Sequence, residues 1–326
     1  MPSLVRRKLV VACVVVLALA FAGAALAGNG GIAPQPPRSP NAERERQAYW
    51  VILGITGGIF VLVEGALLVF VARFRNRGRP RELEGPQIRG HTRLELIWTV
   101  IPVLILAGIA SFVFYKLPGI KNVPSARAGD PLEVKIVGHQ FYWEFVYPNG
   151  VVQVNRLRAP AGRVVTLSIT APDVDHSWWI PSLGGKFDAI PGKTNHTWFR
   201  VTRLGVYKGQ CGEFCGIQHQ AMRAVVEVLP AAQFDRWLAA EARAQQAGTS
   251  DLGRMTFSGV CATCHGFQGQ GYIGPAIAGS ALLTDRRGLT TLLRQGRGKM
   301  PAVGATWGSR QLDATLAYLR KRFGGK

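Results

Sequence analysis

Three long apolar runs precede residue 116, after which the pattern changes to short β-rich segments and then to helical spacing. The first run, Leu9 to Leu26, follows Arg6, Arg7 and Lys8 and ends in Ala25-Leu26-Ala27, so residues 1–27 read as a cleavable signal peptide. The run is also long enough for an uncleaved first membrane helix. Residues 28–47, which open on Gly, Pro and Asn, form a flexible lead-in. Residues 48–72 and 97–115 are each apolar over the length needed to span a bilayer core of about 30 Å. Tyr49, Trp50, Trp98 and Tyr115 stand near their ends, as interfacial aromatics do. Residues 48–115 therefore predict a transmembrane hairpin. Beyond it, Leu132–Gly138, Phe141–Tyr147, Val164–Thr170, Thr197–Val201 and Ala224–Leu229 predict strands separated by turn clusters, a β-sandwich or Greek-key barrel. Residues 231–246 carry Phe234, Trp237 and Leu238 on one helical face. After the linker at Gly248-Thr-Ser, residues 248–326 predict an all-helical unit: a helix ending near residue 265, a Gly-rich loop, a short helix near 289–294 and a last helix over 309–322.

Charge orients this arrangement. The loop between the spans carries Arg73, Arg75, Arg77, Arg79, Arg81, Arg89 and Arg93 against Glu82 and Glu84, which places it on the cytoplasmic side and both soluble parts on the outer face. The leader predicts the same orientation, so the expected location is a bacterial plasma membrane with the lipid bilayer as one partner. The net charge of +20 is dispersed and no recognition motif accompanies it, which excludes nucleic acid as a partner. Two carboxylates sit in or at the spans. Glu64 lies mid-span, where it faces another subunit, snorkels or has a function, and Glu95 lies at the cytoplasmic end of the second span.

Cysteine and histidine spacing supplies the chemistry. Cys211-Gly-Glu-Phe-Cys215-Gly-Ile-Gln-His219-Gln-Ala-Met222 gathers thiolates, an imidazole and a thioether, a soft set that suits copper or zinc, with the methionine arguing for copper. His176 adds a second imidazole about 35 residues upstream. Cys211 and Cys215 would then bridge two coppers, with one histidine on each and with Met222 and the Glu213 carbonyl as weak axial ligands. Cys261-Ala-Thr-Cys264-His265 is a c-type haem attachment motif in which both cysteines hold the porphyrin and His265 binds iron. Two short-loop disulfides are the competing reading of these four cysteines. His91, His139 and His196 have no ligand-spaced partners and read as structural or surface residues.

Residues 48–247, through the two spans, Gly138-His-Gln-Phe-Tyr-Trp-Glu-Phe, the His176 segment and Cys-Gly-Glu-Phe-Cys-Gly-Ile-Gln-His-Gln-Ala-Met, resemble subunit II of haem-copper cytochrome c oxidases. The resemblance implies a cupredoxin fold with a mixed-valence CuA centre, and the Glu213 side chain binding a magnesium ion shared with subunit I. It also implies Glu95 at the mouth of a proton pathway. Where Phe141 stands the family commonly has Trp, through which a soluble cytochrome c delivers electrons, so this chain departs from the family at that route. Gly271-Tyr-Ile-Gly-Pro275 and Lys299-Met300-Pro301 resemble class I cytochromes c and make Met300 the sixth iron ligand.

Together these lead to a two-helix transmembrane hairpin (48–115), an all-β cupredoxin-like Greek-key domain with a trailing helix (116–247) and an all-α class I cytochrome c domain (248–326). The expected role is electron input to a caa-type oxidase: two copper ions and one covalent haem c relay electrons from a cytochrome c or a quinol–cytochrome c reductase to subunit I. Subunit III is a further expected partner. Both soluble parts are net positive, so a short tether rather than charge attraction is expected to hold haem near copper. The alternatives are the same role in a nitric oxide reductase relative, or a stand-alone copper-binding protein.

Overall fold

A computed structural model of the chain describes residues 34–75, 87, 89–124 and 131–324. The leader (1–27) and the loop residues Arg77, Arg79, Arg81, Glu82 and Glu84 lie outside the described residues. The chain divides into two compact units, residues 43–122 and a second whose described residues are 34–42, 123–124 and 131–324.

The first unit contains helices α1 (Pro40–Phe74) and α2 (Thr92–Lys121), both long and apolar enough to cross a membrane. Each extends past its apolar window because polar turns continue it at both ends. Lys116 donates to the Gln47 side chain at 3.1 Å, and Arg44 donates to the Gly119 carbonyl, which fastens the start of α1 to the end of α2. Helix α2 starts five residues before the apolar run at 97. Its start is fixed at His91, whose Nδ1 accepts from the Leu94 N–H at 3.1 Å while the Glu95 carboxylate accepts from the His91 N–H at 3.2 Å. This reciprocal cap satisfies two free amides. Pro102 and Pro118 both lie in the interior of the helix.

Among the described residues the second unit holds ten strands in two five-stranded sheets. β1 (Leu132–His139), β2 (Tyr142–Val146), β3 (Val152–Val154), β5 (Val164–Thr170) and β8 (Asn195–Arg200) form the sheet ordered β3-β2-β1-β5-β8. β4 (Arg156–Pro160), β6 (His176–Trp179), β7 (Phe187–Ala189), β9 (Gly205–Cys211) and β10 (Arg223–Leu229) form the sheet ordered β4-β10-β9-β6-β7. The strands β1/β5 and β4/β10 pair in parallel, so the chain crosses between sheets rather than meandering. Alternate residues face the shared core: Trp143 and Phe145 of β2 pack edge-on against Trp178 of β6, with ring centroids 5.4 and 5.5 Å apart. Helix α3 (Ala231–Gln246) closes one end with Phe234 against Tyr147.

The helical part comprises α4 (Leu252–Thr256), a π turn over Phe257–Cys261, α5 (Ala262–His265), α6 (Arg286–Gln295) and α7 (Ser309–Phe323) around Phe257, Leu316, Leu319 and Trp307. It is more than tethered to the sandwich. Tyr142 and Val154, both strand residues, are buried within the helical core. The Gln245 side chain pairs with the edge strand β3, accepting from the Val152 N–H at 3.1 Å and donating to its carbonyl at 2.8 Å.

Candidate metal centres

Cys211 is the last residue of β9 and pairs in register with Trp178, two residues past His176 on β6. The sandwich thus sets the imidazole and the first thiol side by side. The following loop returns to the sheet where Met222 accepts at its carbonyl from the Cys211 N–H at 2.9 Å. A one-turn 3-10 helix over His219–Ala221 folds His219 back toward Cys215. Cys211 Sγ lies 4.0 Å from Cys215 Sγ, 4.0 Å from His176 Nδ1 and 3.2 Å from the Glu213 carbonyl. Cys215 Sγ lies 3.6 Å from His219 Nδ1 and 3.8 Å from Met222 Sδ. The donor atoms of His176, Cys211 and Cys215 all fall within 4.8 Å of one another, and all three residues are buried. Each sulfur has its own imidazole, and the weak donors divide between them, the carbonyl at Cys211 and the thioether at Cys215. No disulfide joins these cysteines or Cys261 and Cys264.

Hydrogen bonding between the two thiols above all draws the Cys211 thiol down to about 3, and the same pairing pushes Cys215 far up. A site that already stabilises one thiolate among soft donors fits copper. Asp173, which the sequence analysis did not single out, accepts from His176 Nε2 at 3.0 Å and turns Nδ1 toward Cys211. Burial works against charge on His176, but Asp173 and Cys211 outweigh it and hold the imidazole above its ordinary value. Asp173 is itself fixed by the N–H groups of Gln140 and Val174, both at 2.7 Å. Its position three residues before His176 was the readable signal.

The Glu213 side chain, the magnesium candidate, points to solvent 3.9 Å from Lys186 Nζ. Glu95 caps α2 as described, and His196 bonds Ser168 at 3.3 Å. His139 is buried, its ring stacked on Tyr142 at 4.6 Å, and burial pushes it down to about 4, so it is a neutral structural imidazole.

In the helical part, Cys261 is buried, and burial pushes its thiol up to about 12. His265 Nδ1 donates to the Pro275 carbonyl at 2.7 Å, which leaves Nε2 free as a ligand. Gly274 lies against this ring: a Cβ there would stand 2.7 Å from His265 Cε1. The Gly-rich loop therefore serves to hold the imidazole. Met300 is partly buried against the helical core. Two thiols, a tautomer-fixed histidine and a methionine on an apolar core fit a covalently attached haem.

Residues 27–115 match the family model described as the transmembrane domain of cytochrome c oxidase subunit II, and residues 151–229 match the model of its periplasmic domain. A probable cytochrome c oxidase subunit 2 from Rickettsia bellii is 37% identical over 64% of this chain and 82% of its own length. The chain belongs to the cytochrome c oxidase subunit II family. The cytochrome c oxidase subunit 2 of Alkalihalophilus pseudofirmus is 33% identical over 76% of this chain and 75% of its own length. A crystal structure of the subunit II periplasmic domain from Bradyrhizobium japonicum is 30% identical, covering 37% of this chain and 98% of that one, with a TM-score of 0.35. Residues 248–319 match a model described as subunit III of cbb3-type cytochrome c oxidase, so this subunit II carries a fused C-terminal cytochrome c domain. It is a membrane protein with its copper-type domain on the outer side, and its two kinds of fold imply copper and haem c binding.

Proposed function

We propose that this chain is the electron-input subunit of a respiratory terminal oxidase. Electrons pass from an external donor to haem c at Cys261, Cys264, His265 and Met300, then to a dinuclear copper centre at His176, Cys211, Glu213, Cys215, His219 and Met222. From there they pass to the oxygen-reducing site of subunit I. The observation that carries this is the pair of sulfurs 4.0 Å apart, each with its own imidazole and its own weak donor. A mononuclear copper site needs one such set, and this loop together with His176 of β6 supplies two. When bound, the copper pair supplies a one-electron relay. The chain's part is to hold thiolates and imidazoles at fixed positions on a β-scaffold and to keep water from Cys211, Cys215 and Met222. Glu95 as the mouth of a proton pathway and a magnesium ion on Glu213 belong to the same proposal, since both side chains are exposed at surfaces where subunit I can meet them.

Electron paramagnetic resonance of the copper-loaded protein should show one electron shared by two coppers; the four-line signal of a single copper would overturn the dinuclear reading. Met300→Ala should lower the haem potential and change its low-spin spectrum, and an unaltered spectrum would assign the sixth ligand elsewhere. Purification from membranes should recover subunit I with this chain.

A further inference from the structure

Strand β2 presents two faces. Trp143 and Phe145 point into the sandwich core, whereas Tyr142 and Glu144, one residue out of phase, are covered by the helical part and are 0% and 6% exposed. Tyr142 Oη donates to the Val303 carbonyl at 2.7 Å and accepts from Trp307 Nε1 at 2.8 Å, so the phenol is saturated by two groups from the far side of the contact. Beside it the Asn155 side chain donates to the Gly259 carbonyl at 3.0 Å, in the turn that leads to Cys261. Gly259 is pressed so close that a Cβ would meet Val154 Cγ1 at 2.7 Å. Cys261 shares the buried cluster with Tyr142 and is among the groups acting electrostatically on its phenol.

The other end of the same short segment touches the copper loop. The Gln140 side chain donates to the Cys215 carbonyl at 2.7 Å, and the Phe141 ring lies against Gly216. One residue, Phe141, therefore separates a side chain locked into the haem-bearing part, that of Tyr142, from one bonded to a candidate copper ligand, that of Gln140. His139, stacked on the Tyr142 ring, precedes them in the chain.

Resting on the relay reading above, we infer that Tyr142, fixed by Trp307, is the internal docking contact through which the haem-bearing part delivers its electron, along Cys261, Tyr142, Gln140 and Cys215. One electron leaves the ferrous haem, which becomes ferric, and enters the oxidised copper pair. No proton moves, because Tyr142 keeps its phenolic hydrogen on the Val303 carbonyl and burial holds that phenol well above its ordinary value. Tyr142 and Trp307 are positioning residues that set distance and orientation and are not themselves oxidised.

The test uses the full chain in its complex, with haem c reduced by a light pulse and the arrival of the electron at copper followed optically. Tyr142→Ala should slow this step on the order of tenfold to a hundredfold, because small misplacements of reacting partners are costly. Tyr142→Phe and Trp307→Phe should slow it less, and the wedge Gly259→Leu should act like Tyr142→Ala. Copper resonance and haem spectrum should stay as in the parent. A second readout needs no cofactor: amide hydrogen exchange at Val303–Trp307 and in β2 should rise in Tyr142→Ala and Gly259→Leu. If Tyr142→Ala loses a cofactor, Tyr142→Phe and Trp307→Phe decide on the same two readouts. Transfer and exchange at parent levels in these variants would overturn the docking role while leaving the relay intact. No transfer from haem to copper in the parent would instead remove the relay reading and this inference with it.

Discussion

Asp173 donates nothing to a metal, yet it decides which nitrogen of His176 faces Cys211. Its Oδ1 holds Nε2 at 3.0 Å, and two backbone N–H groups hold the carboxylate in turn. Removing such an orienting partner costs about 10- to 100-fold in metal affinity. Asp173→Ala should therefore weaken copper binding by that factor in a competition titration, while Asp173→Asn, which can still accept a hydrogen bond, should weaken it less. The candidate ligand residues were legible because soft side chains at short spacing have few other uses. Asp173 stands three residues before His176, but an exposed aspartate in a turn has many uses, and only the fold brings it to the imidazole.

Among the elements, β2 shows where reading by pattern stops. Alternation in Phe141–Tyr147 defines two faces, but it cannot say what covers the second. A carboxylate at Glu144 suggests water, whereas α7 lies there, with Gln311 as its neighbour. Burial pushes the Glu144 carboxyl up to about 7, opposed more weakly by Gln311 and Lys135. The protonated form is the one the fold prefers. Its contribution is fully present below about pH 4.5 and is lost as pH rises through about 7, an effect of roughly 3 kcal/mol. Thermal unfolding of the full chain should accordingly fall from pH 5 to pH 8. Glu144→Gln should flatten that slope and be the more stable protein at pH 8; a slope unchanged by the substitution would place the titrating group elsewhere. Strands β3, β4, β6, β7 and β9 also escaped pattern reading. β3, β4, β6 and β7 run only three to five residues, and β6 and β9 are bounded by the candidate copper residues His176 and Cys211, so chemistry rather than hydrophobic alternation shapes those ends. Helix α3, whose apolar stripe has one sandwich to meet, was readable to its ends.

For the molecule as a whole, the like charges of the two soluble parts led to the expectation that a tether alone holds haem near copper. The structure instead joins them through Tyr142, Val154 and Asn155, contacts that owe nothing to net charge. Transfer from haem c to copper should then be insensitive to ionic strength from about 10 mM to 1 M, where exposed charges pass from weakly to fully screened. Reaction with an external donor meets a surface with a net charge of +8 over residues 248–326 and should change steeply over the same range. Stopped-flow reduction by the donor, compared with light-triggered internal transfer, separates the two.

The pairing of Gln245 with β3 bears on how far the haem can travel. That side chain moors the end of α3 to the very strand edge beside which the helical part docks. Only Ala247–Asp251 lie between α3 and α4, a leash whose full stretch is about 20 Å. Even if the Tyr142 contact opened, the haem-bearing part could tip away from its seat but not swing to a distant donor and return. Donors must come to it.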